Sequence, residues 1–345
     1  MTIQLLQALQ RAHAFDSTPP EQKLPALHVP FDNLMGRRRY EETLATAVRR
    51  GERVALIGAS GSGKTSITEH VLGSTFVQDV APIRIRVDMM APTVSTNPAA
   101  FATHLVHTVR KYIDDHNHRT DRRKAAKSEA AAHGGEAKRP LKLSLGAAAP
   151  WVVKGDLALE LGGVVQNRDV SGEDVVEQAQ LILRIIAERG LTPVLVMPDT
   201  DHWIRRPGVD PAELLAGFFG ATLRMIAERL PAAAVIAVHE TYLSDQSYKD
   251  ASGFISSRIT LPTLPSADAL GTILVRRAHI SLDENSSRTT DFIDVDALSG
   301  LFDYYQTSDR NMRKLIQLAH GSLAHACDDA SSIVGRRHVD LAVNE

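Results

Sequence analysis

An apolar run, Val54-Ala55-Leu56-Ile57, stops at a glycine-rich turn, Gly58-Ala59-Ser60-Gly61-Ser62-Gly63-Lys64-Thr65-Ser66. The spacing is G-x-x-x-x-G-K-[ST], the nucleotide-binding P-loop. Triphosphate oxygens have to be met by several backbone N–H groups at once, and glycines let the chain curl tightly enough to aim them. Gly58, Gly61 and Gly63 supply that freedom. Lys64 is expected to reach the β- and γ-phosphates as a point charge, and Thr65 to place its hydroxyl on Mg²⁺. Ser66 to Leu72 then reads as a helix whose N-terminus faces the anion. A chance match in a loop would lack the strand before the motif and the helix after it, and here both are present.

Composition narrows the class further. Of 345 residues, 43% are hydrophobic and 23% charged, which is ordinary for a globular protein with a large core. A formal charge of -2 argues against a surface coated in basic charge, while leaving local patches open. With the single cysteine Cys327, an internal disulfide is excluded and a reducing compartment fits. The N-terminus lacks a signal-peptide pattern, and no apolar run approaches the ~20 residues of a membrane helix. A cytoplasmic chain away from the membrane is expected.

Along the chain, Leu5, Leu6 and Leu9 mark a short leading helix, and residues 1–27 read as that helix and a linker ending ahead of the main domain. A helix over Tyr40 to Val48 is closed by Gly51 just ahead of the strand that leads into the glycine turn. The alternation Ile83-Arg84-Ile85-Arg86-Val87-Asp88 predicts a strand, and Asn97 to Tyr112 a helix, so a β-α-β-α order emerges. His104, His107, His116 and His118 have no carboxylate or cysteine pattern to complete a metal site and read as surface histidines. From about 114 to 168 the chain reads as an insertion, basic over 119–142 and poor in large apolar residues before a hairpin pattern at 141–145 and 152–161. A solvated loop is the commoner reading of such a segment; contact with a nucleic-acid backbone is the other. Further on come a helix from Glu173 to Arg189, a strand through Pro193 to Asp201, a helix from Pro211 to Leu230, a buried strand over Ala233 to Val238, and a helical tail over 266–345.

This order of elements around the P-loop resembles the AAA+ P-loop ATPases, near the replication-initiator and STAND signalling groups. The resemblance implies an α/β three-layer core with a mainly parallel sheet over 28–265 and a helical lid over 266–345. It implies ATP and Mg²⁺ as ligands. Val29, Pro30, Phe31, Met35 and Gly36 would form part of the base pocket. Pro198-Asp199-Thr200-Asp201 stands where the family carries two adjacent acids; depending on register, Pro198 replaces the metal-binding aspartate or Thr200 the catalytic glutamate, and Asp199 is the choice for Mg²⁺ with Asp201 orienting water. His239, then Glu240, would sense the γ-phosphate. Ser257-Arg258 resembles the Ser-Arg pattern of clamp loaders and initiators, whose arginine projects into a neighbouring subunit's site; self-association through Arg258 follows, against a local salt bridge. Within Ser308-Asp309-Arg310-Asn311-Met312-Arg313 the resemblance is to the lid arginine motif, with Arg313 reaching the γ-phosphate and Arg310 as fallback. The function implied is ATP hydrolysis driving a conformational change in a nucleic-acid or protein assembly. An ATP-gated switch with little turnover and a P-loop small-molecule kinase are the alternatives.

Overall fold

The computed structural model describes residues 2–36, 39–73, 79–116, 125–126, 128–130, 132, 171–198, 200, 208–283 and 288–345. Nearly all of the insertion, with its basic stretch and hairpin pattern, lies outside the described residues, as do Asp199 and Asp201. The strands and longer helices run, in chain order, α1 (Thr2–Arg11), α2 (Tyr40–Arg49), β1 (Arg53–Ile57), α3 (Lys64–Gly73), β2 (Val80–Arg84), α4 (Pro98–Asp115), α5 (Gly172–Ala187), β3 (Thr192–Met197), β4 (Ala233–Val238), β5 (Ser257–Thr260), α6 (Ala267–Leu282), α7 (Val295–Thr307), α8 (Met312–Asp328) and α9 (Arg336–Val343). They fall into two compact units, one of Met1–Ala45, Ile57–Val77 and Ile259–Glu345, the other of Thr46–Leu56 and Gln78–Arg258.

The five strands form one sheet in the order β2-β3-β4-β1-β5. β3 pairs in parallel with β2 and with β4. Bonds from Ser256 N–H to the Arg53 carbonyl and from Leu261 N–H to the Ile57 carbonyl advance together along both chains, so β5 also runs parallel to β1. Burial follows position in the sheet. All six residues of β4 are buried, whereas β5, on the outside, has only Ile259 buried. An unbroken apolar run is what a strand covered on both faces requires. β2 begins three residues before the alternation predicts, and its Pro82 is tolerated because an outer strand leaves one side without a ladder.

In the second unit, α4 packs on α5. Asn97 starts α4 by accepting from the Ala99 and Ala100 N–H groups, and Ser171 and Asp174 close a reciprocal capping box on α5. The apolar stripes Phe101, Leu105, Val109 and Val176, Ala179, Leu183, Ile186 are buried. The helix expected over 211–230 forms, but Ala216–Thr222 within it winds as a π-helix. There Gly217 meets Thr96 so closely that a β-carbon at Gly217 would lie 2.4 Å from Thr96 Cβ, leaving no room for any side chain. Gly217 is a packing glycine.

The first unit holds a helical core in which Leu6 and Leu9 of α1 and Phe15 are buried with Leu270, Leu274, Phe292, Leu301, Leu315 and Leu323. The leading helix thus belongs to the same core as α6 to α9. Its three leucines were visible in the sequence; their destination was not. Among the described residues no helix is long and apolar enough to cross a membrane.

His104 departs from the surface reading of the histidines in α4: it is half-buried, and burial, with His107 nearby, pulls its pKa down to about 4. Because the folded pKa lies below the unfolded one, this neutral His104 favours folding above about pH 6.5, and that contribution is lost as pH falls toward 4. Urea unfolding at pH 7 and pH 4.5 should therefore show His104→Gln losing about 2 kcal/mol less stability over that interval than wild type. Equal losses would place His104 in contact with solvent.

Candidate P-loop site

The glycine turn leaves β1 and enters α3 directly, with Gly61 at φ 77° and Gly63 at φ 93°, backbone angles that side-chain-bearing residues rarely adopt. Lys64, only 5% exposed, donates from Nζ to the carbonyl oxygens of Gly58 and Ala59, each at 2.8 Å. Thr65 and Ser66 follow in the first turn of α3, where helix geometry leaves N–H groups without intrahelical partners. Ser62 Oγ is buried without a partner among the described residues, and a β-carbon at Gly58 would lie 2.5 Å from it. At Gly58 the demand on the residue is for space, whereas at Gly61 and Gly63 it is for conformation.

A second helix N-terminus reaches the same loop. Asn311 caps α8, its Oδ1 accepting from Arg313 N–H at 2.9 Å and Lys314 N–H at 3.3 Å. That oxygen would lie 2.3 Å from a β-carbon on Gly61, and Met312 N 3.1 Å from it. Two helix dipoles, those of α3 and α8, therefore converge on Gly61 and favour negative charge there. The turn feeding α8 is unusual, since Asp309 and Arg310 both sit at positive φ, 57° and 52°. Arg310 is exposed on this turn and Arg313 is exposed in the first turn of α8. Asn311, which stands between the two arginines named from the sequence, touches the loop, and its capping chemistry before an apolar helix was the signal available.

Next to the glycine turn, the short helix Phe31–Met35 ends at Gly36, φ 72°. Phe31 Cζ would be 3.7 Å from a β-carbon on Gly63, and the Phe31 ring packs on Tyr40 at 5.4 Å. Sequence reading also passed over His28 and Glu41, which are buried and bonded to each other beside this helix.

The remaining predicted residues belong to the second unit. Thr200, flanked by Asp199 and Asp201, is fully buried, its hydroxyl donating to the Ala237 carbonyl and its carbonyl accepting from Tyr242 Oη at 2.9 Å. His239 follows β4 half-buried and caps the short helix Glu240–Ser244, with Nδ1 2.8 Å from Thr241 Oγ1. Glu240 is exposed. Arg258 is exposed on β5, with Nη2 3.5 Å from the Ser252 carbonyl.

A parallel sheet and a glycine turn running from a buried strand into a lysine-led helix define an α/β P-loop NTPase fold. No family model and no curated protein matches the chain. Among solved structures it is similar to the Aeropyrum pernix Orc1 protein in complex with DNA, with 16% identity, TM-score 0.46, and 95% of this chain and 70% of that one covered. It is also similar to the Aeropyrum pernix Orc2 protein in its ADPNP–ADP complexes, with 15% identity, TM-score 0.49 and coverage of 90% and 68%. Cdc6p from Pyrobaculum aerophilum is a third, with 15% identity, TM-score 0.47 and coverage of 94% and 66%.

Asn311 separates capping from electrostatics. Asn311→Ala should cost about 1 kcal/mol in urea unfolding, while Asn311→Asp keeps the cap and stability but sets a carboxylate against Gly61. ADP titration should then show weaker binding for Asn311→Asp; unchanged affinity would place the anion away from α8.

Proposed function

We propose that this chain binds ATP with Mg²⁺ along Gly58–Ser66 and hydrolyses it to drive a conformational change in a nucleic-acid or protein assembly. The observation that carries the reading is the pair of helix N-termini, of α3 and α8, meeting at one glycine turn that also holds Lys64. Such a turn suits a chain of phosphates: N–H groups take the oxygens, and Lys64 exchanges its carbonyl partners for the β- and γ-phosphates. Thr65 would hold Mg²⁺ through its hydroxyl, with Asp199 as the acid beyond it. Asp201 would orient water, His239 or Glu240 would sense the γ-phosphate, and Arg313 would reach it from the lid, read as residues 266–345 on a core of 28–265. Val29, Pro30, Phe31, Met35 and Gly36 would line the base. The bound Mg²⁺ would supply charge neutralisation between the phosphates. The basic stretch 119–142 is the natural candidate for touching a nucleic acid, and a cytoplasmic setting suits the single cysteine.

Thr200 favours a second reading, an ATP-gated switch with little turnover. Its side chain is committed to Ala237, so the position beside Asp199 offers no carboxylate for water. Steady-state phosphate release, with Lys64→Ala as background, distinguishes the two.

Lys64→Ala should weaken fluorescent-nucleotide binding by at least about 100-fold, because it removes the charge that faces the terminal phosphates. Undiminished affinity would dismiss the site.

Arg258 lies exposed on an outer strand, where a second protomer has access to it. An arginine of this kind acts on a neighbour's γ-phosphate in a head-to-tail assembly. Arg258→Ala should bind ATP normally and lose about 10³-fold in turnover. Mixed with Lys64→Ala, it should regain activity, since each variant keeps the half-site the other lacks. Mixtures that stay inactive would make Arg258 a local structural residue.

A further inference from the structure

Behind the P-loop helix lies a buried chain of polar groups that phosphate binding alone does not call for. Glu41, on α2, places one oxygen, Oε1, 2.9 Å from Phe31 N–H and 2.8 Å from His28 Nε2. The other ring nitrogen, His28 Nδ1, is 3.1 Å from Ser66 Oγ in the first turn of α3. His28 and Glu41 are only 5% and 4% exposed. Burial pushes the Glu41 carboxyl up, but the bonds from His28 and the Phe31 N–H outweigh it and hold the group below its ordinary range, so Glu41 is ionised. For His28, burial pulls the pKa down, the bond to Glu41 pushes it back, His70 adds a downward push, and the net shift is down.

Two protonation states follow, and they differ in what Ser66 can do. An ionised Glu41 only accepts, so Nε2 carries a proton in both states. In neutral His28, Nδ1 is then an acceptor, and the Ser66 hydroxyl spends its proton on it, turning lone pairs toward the anion side of α3. In the imidazolium, Nδ1 donates to Ser66 Oγ, and the hydroxyl proton is released to donate elsewhere. A phosphate favours the second state twice, through that hydroxyl and through the positive charge behind it.

We propose that His28 is a proton-linked positioning residue for the P-loop, orienting the Ser66 hydroxyl so that a phosphate-bearing nucleotide draws one proton from solvent onto His28 as it binds; this rests on the nucleotide-binding reading above. The groups that act on His28 are Glu41 from α2 and His70 from α3. The His70 ring lies 4.6 Å from that of His28, with Nδ1 on the Pro25 carbonyl at 3.0 Å. From α6, Arg276 donates to the Ala26 carbonyl at 2.8 Å. The sign is fixed by linkage. Binding raises the pKa of His28 from its lowered value, so affinity rises as pH falls between the free and bound values, by at most about tenfold per pH unit for one proton.

The test is calorimetric titration of Mg²⁺-ADP into the full chain, in buffers of different ionisation enthalpy, from pH 6 to pH 8. ADP titrates too, so the quantity read is the difference in proton uptake between wild type and variants. Wild type should take up more protons than Ser66→Ala, which removes the hydroxyl, and more than Glu41→Gln, whose amide oxygen still accepts from Phe31 and His28 but no longer supports the imidazolium. The affinity of both variants should be correspondingly flatter with pH. Nitrogen NMR of the His28 ring, with a pKa that rises on adding Mg²⁺-ADP, would report the same event without relying on a variant. Equal proton uptake in all three proteins, or a His28 ring that titrates identically with and without ADP, overturns the proposal while leaving nucleotide binding intact. Absence of ADP binding to wild type overturns both.

Discussion

A chain that passes from a buried strand straight into a helix has to turn within a few residues, and the structure does so by holding Gly61 and Gly63 in the left-handed region of backbone space. The rest of the architecture is arranged around this constraint. β1 delivers the turn from within the sheet, between β4 and β5, and α3 carries it away. The absence of a side chain at Gly61 also lets the Asn311 cap approach to contact distance, so the residue that permits the turn permits the second helix as well. A larger residue there would disturb both at once.

Much of this was readable in the sequence because the signals were local. The apolar run of β4 was placed to the residue, since a strand buried on both faces leaves no polar position to confuse its limits. The capping residues Asn97 and Ser171 fix helix starts close to those expected from periodicity. β2 was misplaced by three residues because arginines alternating with apolar residues at 83–88 imitate a strand, whereas the chain leaves the ladder after Ile85 and winds into a short helix at Val87–Met89. Periodicity also says nothing about which core a stripe enters. Leu6 and Leu9 looked like a leading helix, and only the fold joins them to residues more than 250 positions later.

The candidate site divides along the same line. Gly58 to Ser66 are contiguous and carry their own pattern, so they could be named in advance. Asn311, His28 and Glu41 could not, because each acts by reaching a partner distant in sequence: Asn311 the loop at Gly61, His28 the hydroxyl of Ser66. A buried histidine and a buried glutamate are individually costly, and their mutual bond with the Phe31 N–H offsets that cost. No propensity scale registers such a pair.

The turn at Asp309 and Arg310 carries a further consequence. Two successive residues with side chains in the left-handed region each cost roughly 1–2 kcal/mol, and this turn is followed at once by the Asn311 that touches Gly61. Backbone strain is thus stored immediately ahead of the cap, and a glycine at either position would relieve it while leaving Asn311 itself in place.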